Sequence, residues 1–350
     1  MTKMPTMRVN VERFGTLLQP SGPTEADGVL NPAFVRARDG RPILFPRCVA
    51  AGNISRIGRC ELDVNQTAPR AHRLGFALEP EAEYERRASP GYGCEDARIT
   101  FIPDLDLFVM AYTAFGPDGP RIAFAISTDG VSYERLGLVE FSEPGMARGD
   151  DKDAAFFPET VLSPEGIESY AFYHRPMLHL SAVDGRAAIP LIERLPMEQR
   201  ESIKIAYIPA ADVRKDIRAL LRPRESMIAL TPDAQWGSLK VGAGTPPVRI
   251  NEGWLSLFHG VDVIGYDGYR PQFRYSAGIV IHDLQRPHEI IYRSPEPMLA
   301  PTTYEERNGT VDNVVFPTGI DVRADLGTRI FDIYYGMADY AIGSARMTLA

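Results

Sequence analysis

With 350 residues, 44% of them apolar, the chain can bury a large core, in one big domain or two smaller ones. A net charge of −8 without any Lys/Arg run argues against nucleic acid and anionic membrane as partners, and no stretch of about 18 apolar residues marks a membrane span. The opening MTKMPTMRVNVERFG lacks the apolar centre of a signal peptide, and Cys48, Cys60 and Cys94 show no C-x-x-C spacing, so the expectation is a cytoplasmic protein with reduced thiols.

Thirty glycines and 29 prolines predict many short elements separated by turns. The first pair of apolar runs is NPAFV, opening at Asn31, and PILFPR, ending at Arg47. The second is EDARITFI, opening with Glu95 and Asp96, then LFVMAYTAFG. The third is KDAAFFPETV, opening at Asp153, then SYAFYHRP with Arg175. A longer interval follows, at about 177–235. It carries the strand SIKIAYIP and a predicted helix from Ala210 to Leu221, with Val213, Ile217 and Leu220 on one face. The fourth pair is VGAGTPPVRI and GWLSLFHGVD, and the fifth is DNVVFPTGI, opening at Asp312, then RIFDIYYGMAD, ending at Asp339. Each time a polar residue opens a small-and-apolar strand, and a second strand of alternating large side chains returns to a polar end. Five such repeats predict an all-β fold, a five-bladed β-propeller over 1–350 with an insertion at about 177–235.

In a propeller the innermost strands line a channel, and their ends ring one mouth of it. A strand can therefore open on charge and still bury its body between blades. Glu95, Asp96, Asp153, Glu159, Asp312 and Asp339 would supply acids to that mouth. Arg47, Arg98, Arg175, Lys240 and His259 would supply bases, and Tyr275 and Tyr335 hydroxyls. Such a ring suits a polar, hydroxylated substrate. His259 with Asp262, and His174 with His179, do not have structural-zinc or calcium-loop spacing, so no metal is expected. No GxSxG elbow supports a serine triad, and Glu95 beside Cys94 would raise a thiol pKa rather than lower it. GAGTPP leads into a strand with no helix behind it, which argues against a dinucleotide site. Gly242 and Gly244 allow either close ligand approach or a strand irregularity.

Glycoside chemistry fits these residues. An inverting hydrolase needs an acid and a base. Phosphorolysis needs only the acid, but it must hold a dianion, which calls for Arg, Lys and further donors. Arg175, set in extended backbone by Pro176, joins Lys240, His259 and Tyr275 as that set.

In their order, NPA, GCEDARIT, KDAAFFPE, YHRP, KVGAGTPPV with GWLSLFHGVD, YSAGIVIHD, DNVVFPTG and YYGMADYAIG make the chain resemble glycoside hydrolase family 130, the mannoside phosphorylases and related β-mannosidases. The resemblance runs from about Asn31 to Gly343. It implies a five-bladed propeller that cleaves a β-mannooligosaccharide with inorganic phosphate, giving α-mannose 1-phosphate with inversion. It implies Asp96 as proton donor, acting through a hydroxyl of the transferred mannose. Arg175, Lys240, His259 and Tyr275 match the phosphate ligands. Arg98, Asp312 and Asp339 match positions that contact the sugar or shape its pocket; Asn31 and Arg47 are expected to face the same pocket, and Glu95 and Asp153 are taken with them. No metal or organic cofactor is implied; a homo-oligomer is left open. Ala97, Thr245 and Phe258 depart from the family's usual Pro, Pro and Tyr without removing a reacting group. The alternative is an exo-β-mannosidase on the same scaffold, with Glu159 as its base; retention of all four phosphate-type residues argues against it. A sugar-binding propeller without turnover is the third reading.

Overall fold

Four of the five repeats open with the same backbone device. Asn31, Asp96, Asp153 and Asn313 hold φ of 44°, 48°, 62° and 60°, in the left-handed region that costs most residues roughly 1–2 kcal/mol and Asn or Asp less. In the first three, strand pairing skips a step there, between Leu30 and Ala33, Glu95 and Arg98, and Lys152 and Ala155. A bulge of this kind re-aims one side chain while the rest of the strand keeps its alternation. The expected polar opener of the fifth repeat was Asp312. The structure gives that conformation to Asn313, and Asp312 lies exposed one residue earlier.

The protein, seen in a computed structural model, is described over residues 7–66, 68–141, 149–178, 189–233, 235–268 and 270–350. It is all-β with a few short helical turns. The inner strands are Gly28–Arg36, Tyr92–Ile102, Asp151–Phe156, Lys240–Ala243 and Val315–Val322, each paired antiparallel with the long second strand of its repeat. Where five separate sheets were expected, the described strands form four. A short parallel pairing of Ile54 with Tyr92 and Ser55 with Gly93 joins the first two repeats into one eight-stranded sheet. The last sheet takes its outer strand from the other end of the chain: Val9–Leu18 pairs antiparallel with Ala341–Leu349.

The core lies between successive repeats. Phe45 and Tyr112 share one cluster, Phe124 and Phe172 the next, Tyr173 and Trp254 the third, and Leu257 and Ile333 the fourth. A fifth cluster, with Leu44, Phe34 and Tyr334, packs the last repeat against the first.

Part of the interval 177–235 belongs to a sheet, since Ile203–Pro209 and Glu225–Leu230 are the outer strands of the third repeat. The predicted helix from Ala210 to Leu221 is broken. Ala210–Val213 makes one α turn and Ile217–Leu221 a 3-10 turn, because Asp216 is extended and its carboxylate caps Arg218 N–H at 2.9 Å. Val213 and Leu220 are nonetheless buried, as the periodicity required. All three cysteines are free and buried, and burial pushes the Cys94 thiol well up. Among the described residues no helix is long and apolar enough to cross a membrane.

Candidate active site

Three of the left-handed openers, Asn31, Asp96 and Asp153, converge. Asn31 Nδ2 donates to Asp96 Oδ1 at 3.0 Å, and Arg47 Nη1 reaches the same oxygen at 3.4 Å. Arg47 also donates to Glu95 at 2.9 Å, and Lys152 approaches the other Glu95 oxygen at 3.4 Å. Lys152 carried no sequence signal of its own, because a Lys beside a strand opening reads as ordinary solvated charge.

Burial works against ionisation of Asp96, yet Arg47, Arg98, Lys152 and the Asn31 amide outweigh it and hold the carboxyl below its usual value. Asp339 goes the other way. Burial and the Asp96 charge push it up to about 6, against the opposing pull of Arg47 and Lys152. The two carboxyls therefore form a pair whose environments drive their affinities for a proton apart.

Arg98 links this acid end to a cationic end. It is buried and donates to Asp96 O at 2.9 Å, Gly244 O at 3.1 Å, Ala243 O at 3.1 Å and Asp153 Oδ1 at 3.3 Å. Its donors are largely spent on protein, so it shapes the pocket from behind. Asp153 Oδ2 accepts Arg175 Nε at 2.6 Å, and His259 Nε2 lies 3.8 Å from the same oxygen. Despite burial, Arg175, His259 and Arg98 hold Asp153 well below the usual carboxylate range. Arg175 is gripped on its other side by Glu201, which also accepts Leu178 N–H at 3.3 Å. Glu201 escaped the sequence reading because ESIKIAYIP looks like the polar start of an outer strand.

His259 is pushed down to about 3 by burial, with Arg175, Lys240 and Arg98 adding to the effect against Asp153. It is thus a neutral hydrogen-bonding group at neutral pH, and its buried Nδ1 has no partner among the described residues. Tyr275 and Glu201 raise Lys240 against burial, so that group stays charged. The Lys240 ammonium lies 5.6 Å from the Tyr275 ring centroid, and the His259 and Tyr275 rings are 6.2 Å apart. Beside Glu201, Lys240 and Tyr275 opens a cavity of about 200 Å³, walled by Ile189, Leu239 and Phe273.

Behind the cationic end, Asp151 accepts the Arg175 backbone N–H at 3.0 Å and pairs with His174 Nδ1 at 2.7 Å. His174 and Arg175 alternate along one strand, one facing structure and the other facing the site.

Three expectations, for Asp312, Glu159 and Tyr335, need correction. Asp312 is exposed and accepts Gly309 N–H at 3.3 Å, closing a turn outside this network. Glu159 is exposed and paired with Arg249, beside a cavity of about 360 Å³ at the far ends of the inner strands. Tyr335 is buried and donates to Glu306 at 3.0 Å. Asp262 pairs with Arg274 at 2.7 Å, His179 lies outside the described residues, and no group of three metal-ligating side chains occurs among those described.

The two glycines of GAGTPP serve packing. A Cβ on Gly242 would lie 2.3 Å from His259 Cε1 and 2.4 Å from Asp153 Oδ2; on Gly244 it would meet Pro317 O at 2.6 Å and Leu257 O at 2.7 Å. Gly242→Ala is expected to displace the buried His259 and Asp153 side chains, lowering phosphate-dependent turnover by about 10²-fold with a smaller melting loss than Gly244→Ala. Gly244→Ala strikes backbone and is expected to lower the melting temperature. Steady-state kinetics and calorimetry on the two variants check this; equal melting losses would refute the division of roles.

The glycoside hydrolase family 130 model, described as beta-1,4-mannooligosaccharide phosphorylase, matches residues 23–350. A 1,2-beta-oligomannan phosphorylase of Thermoanaerobacter sp. (strain X514) is 31% identical over 271 residues, covering 77% of this chain and 71% of that protein. The solved beta-1,2-mannobiose phosphorylase of Listeria innocua superposes with a TM-score of 0.70 at 21% identity, over 97% of each chain. A structure described under "The GH130 family of mannoside phosphorylases contains glycoside hydrolases that target beta-1,2 mannosidic linkages in Candida mannan" superposes with a TM-score of 0.67 at 20% identity, over 96% of this chain and 93% of the other. The chain belongs to glycoside hydrolase family 130.

Proposed function

We propose that the protein is an inverting phosphorylase that cleaves a β-mannoside, a β-mannooligosaccharide, with inorganic phosphate to give α-mannose 1-phosphate. In this reading the five repeats are the blades of one propeller domain. The amino-terminal strand completes the last blade, and the fifth core cluster seals it to the first. The reaction calls for no metal or organic cofactor, and the reduced thiols suit the cytoplasm.

The observation that carries the reading is the joining of an acid pair to a cationic seat through Arg98 and Asp153. Phosphate would be held by Arg175 and Lys240 as charges and by neutral His259 and Tyr275 as hydrogen-bonding groups. A prepositioned dianion needs no base to activate it, and donors fixed before reaction stabilise charge without reorganisation. Asp96 would deliver the proton to the leaving oxygen through a mannose hydroxyl. Asn31, with a buried Oδ1 that has no partner among the described residues, has an acceptor left for the sugar.

The hydrolase reading loses its base, since Glu159 faces away from this network. Glu201 is the acid beside the anion seat, and it is bound to Arg175.

The family description names a β-1,4 linkage and the Thermoanaerobacter and Listeria relatives β-1,2 linkages, so both substrates belong in the test. Incubation with β-1,2- and β-1,4-mannobiose is expected to release α-mannose 1-phosphate only when phosphate is present. Equal turnover without phosphate would overturn the proposal in favour of hydrolysis.

A further inference from the structure

We propose that Asn313 is a sugar-binding residue of this site, its carboxamide hydrogen-bonding a hydroxyl of the mannoside beside Tyr275. The inference rests on the phosphorylase reading and extends its sugar-contacting set.

Asn313 shares its left-handed conformation with Asn31, Asp96 and Asp153; those three lie within the first half of their inner strands, and Asn313 lies two residues before Val315–Val322. The side chains of those three meet in the acid and cationic network. The fourth repeat has Gly242 near this point, and the space a side chain would fill there is taken by His259 and Asp153. Asn313 is therefore the one such opener whose side chain has no role so far.

Its backbone is fixed on both sides. The Asn313 N–H donates to Arg307 O at 3.3 Å, its carbonyl accepts Tyr275 N–H at 2.9 Å, and Tyr275 and Val314 form a parallel bridge. The residue is thus tied to a member of the anion seat. The carboxamide, half-buried, hydrogen-bonds to none of the described residues. Glycine would adopt this backbone at lower cost, so conformation alone does not call for an amide. A neutral carboxamide both donates and accepts, which matches a hydroxyl. A phosphate dianion is already matched by Arg175 and Lys240. The sequence hid the residue because the adjacent Asp312 looks like the functional group.

Asn313→Ala and Asn313→Gly separate side chain from backbone, because glycine removes the amide while relieving the strain. With mannobiose and phosphate varied separately, both variants are expected to raise the KM for mannobiose about tenfold, the worth of one lost hydrogen bond, and to leave the KM for phosphate unchanged. An Asn313→Gly enzyme that matches wild type would overturn the proposal, leaving Asn313 a backbone residue. A rise confined to the phosphate KM would overturn it as well. Should the wild-type protein show no phosphate-dependent turnover, the phosphorylase reading fails by itself. Calorimetric titration of mannobiose into wild type and Asn313→Gly then decides the present point: about tenfold weaker binding supports it, and equal binding overturns it.

Discussion

Asp96→Asn is expected to lower kcat by about 10²–10⁴-fold, the usual worth of a positioned general acid, while the protein still binds mannobiose. The substitution keeps the shape and the acceptor that Asn31 addresses at 3.0 Å, so folding should survive. It removes the charge that lifts Asp339, whose carboxyl also faces Arg47, Lys152 and Glu95. In the substrate-free protein the pair holds its one exchangeable proton mainly on Asp339, up to about pH 6. Raising the pH through that value ionises both members. For wild type, kcat/KM, which reports the free enzyme, should therefore be steady below about pH 6 and fall above it. Asp339→Asn cannot store the proton, so its kcat/KM should be low on both sides of that value and show no such limb. An Asp96→Asn enzyme of wild-type rate, measured by release of mannose 1-phosphate, would remove Asp96 from the chemistry.

The repeats were legible because the inner strands obey one local rule. A polar residue that tolerates the left-handed region precedes small and apolar residues, and the pattern at Asn31, Asp96 and Asp153 translated directly into three bulges. The rule failed by one residue at Asp312 and Asn313, because both are polar and only the backbone tells which one takes the left-handed conformation. Glu159 misled for a related reason: it closes the inner strand's motif, but the far end of that strand leads away from the site. Glu201 and Lys152 were invisible because their partners, Arg175 and Glu95, lie 26 and 57 residues away, and ion pairs over such separations leave no spacing in the chain. The union of two repeats into one sheet hangs on two residue pairs, too little backbone to show in composition. Closure of the last sheet by Val9–Leu18 joins opposite ends of the chain, and periodicity does not carry that information.

Arg175→Ala should cost both phosphate use and stability, for separable reasons. The guanidinium is buried and holds two carboxylates, Asp153 through Nε at 2.6 Å and Glu201 through Nη1. Its removal leaves both acids beside the anion seat without their principal cation. Breaking a buried pair in this way costs about 3–5 kcal/mol, so a lower melting temperature is expected. The same carboxylates would then repel the incoming dianion. Lost attraction and new repulsion together should reduce kcat/KM for phosphate by about 10²–10³-fold, within the range for truncating one partner of a buried charge pair. The double variant Arg175→Ala/Glu201→Gln divides the effect. It removes one stranded charge, so the melting temperature should recover in part, yet phosphate use should stay low because the guanidinium is still missing. Thermal unfolding and phosphate titrations on wild type and the two variants read the terms separately. A wild-type KM for phosphate in Arg175→Ala would place the anion elsewhere and break the link between Asp96 and the cationic seat on which the phosphorylase reading depends.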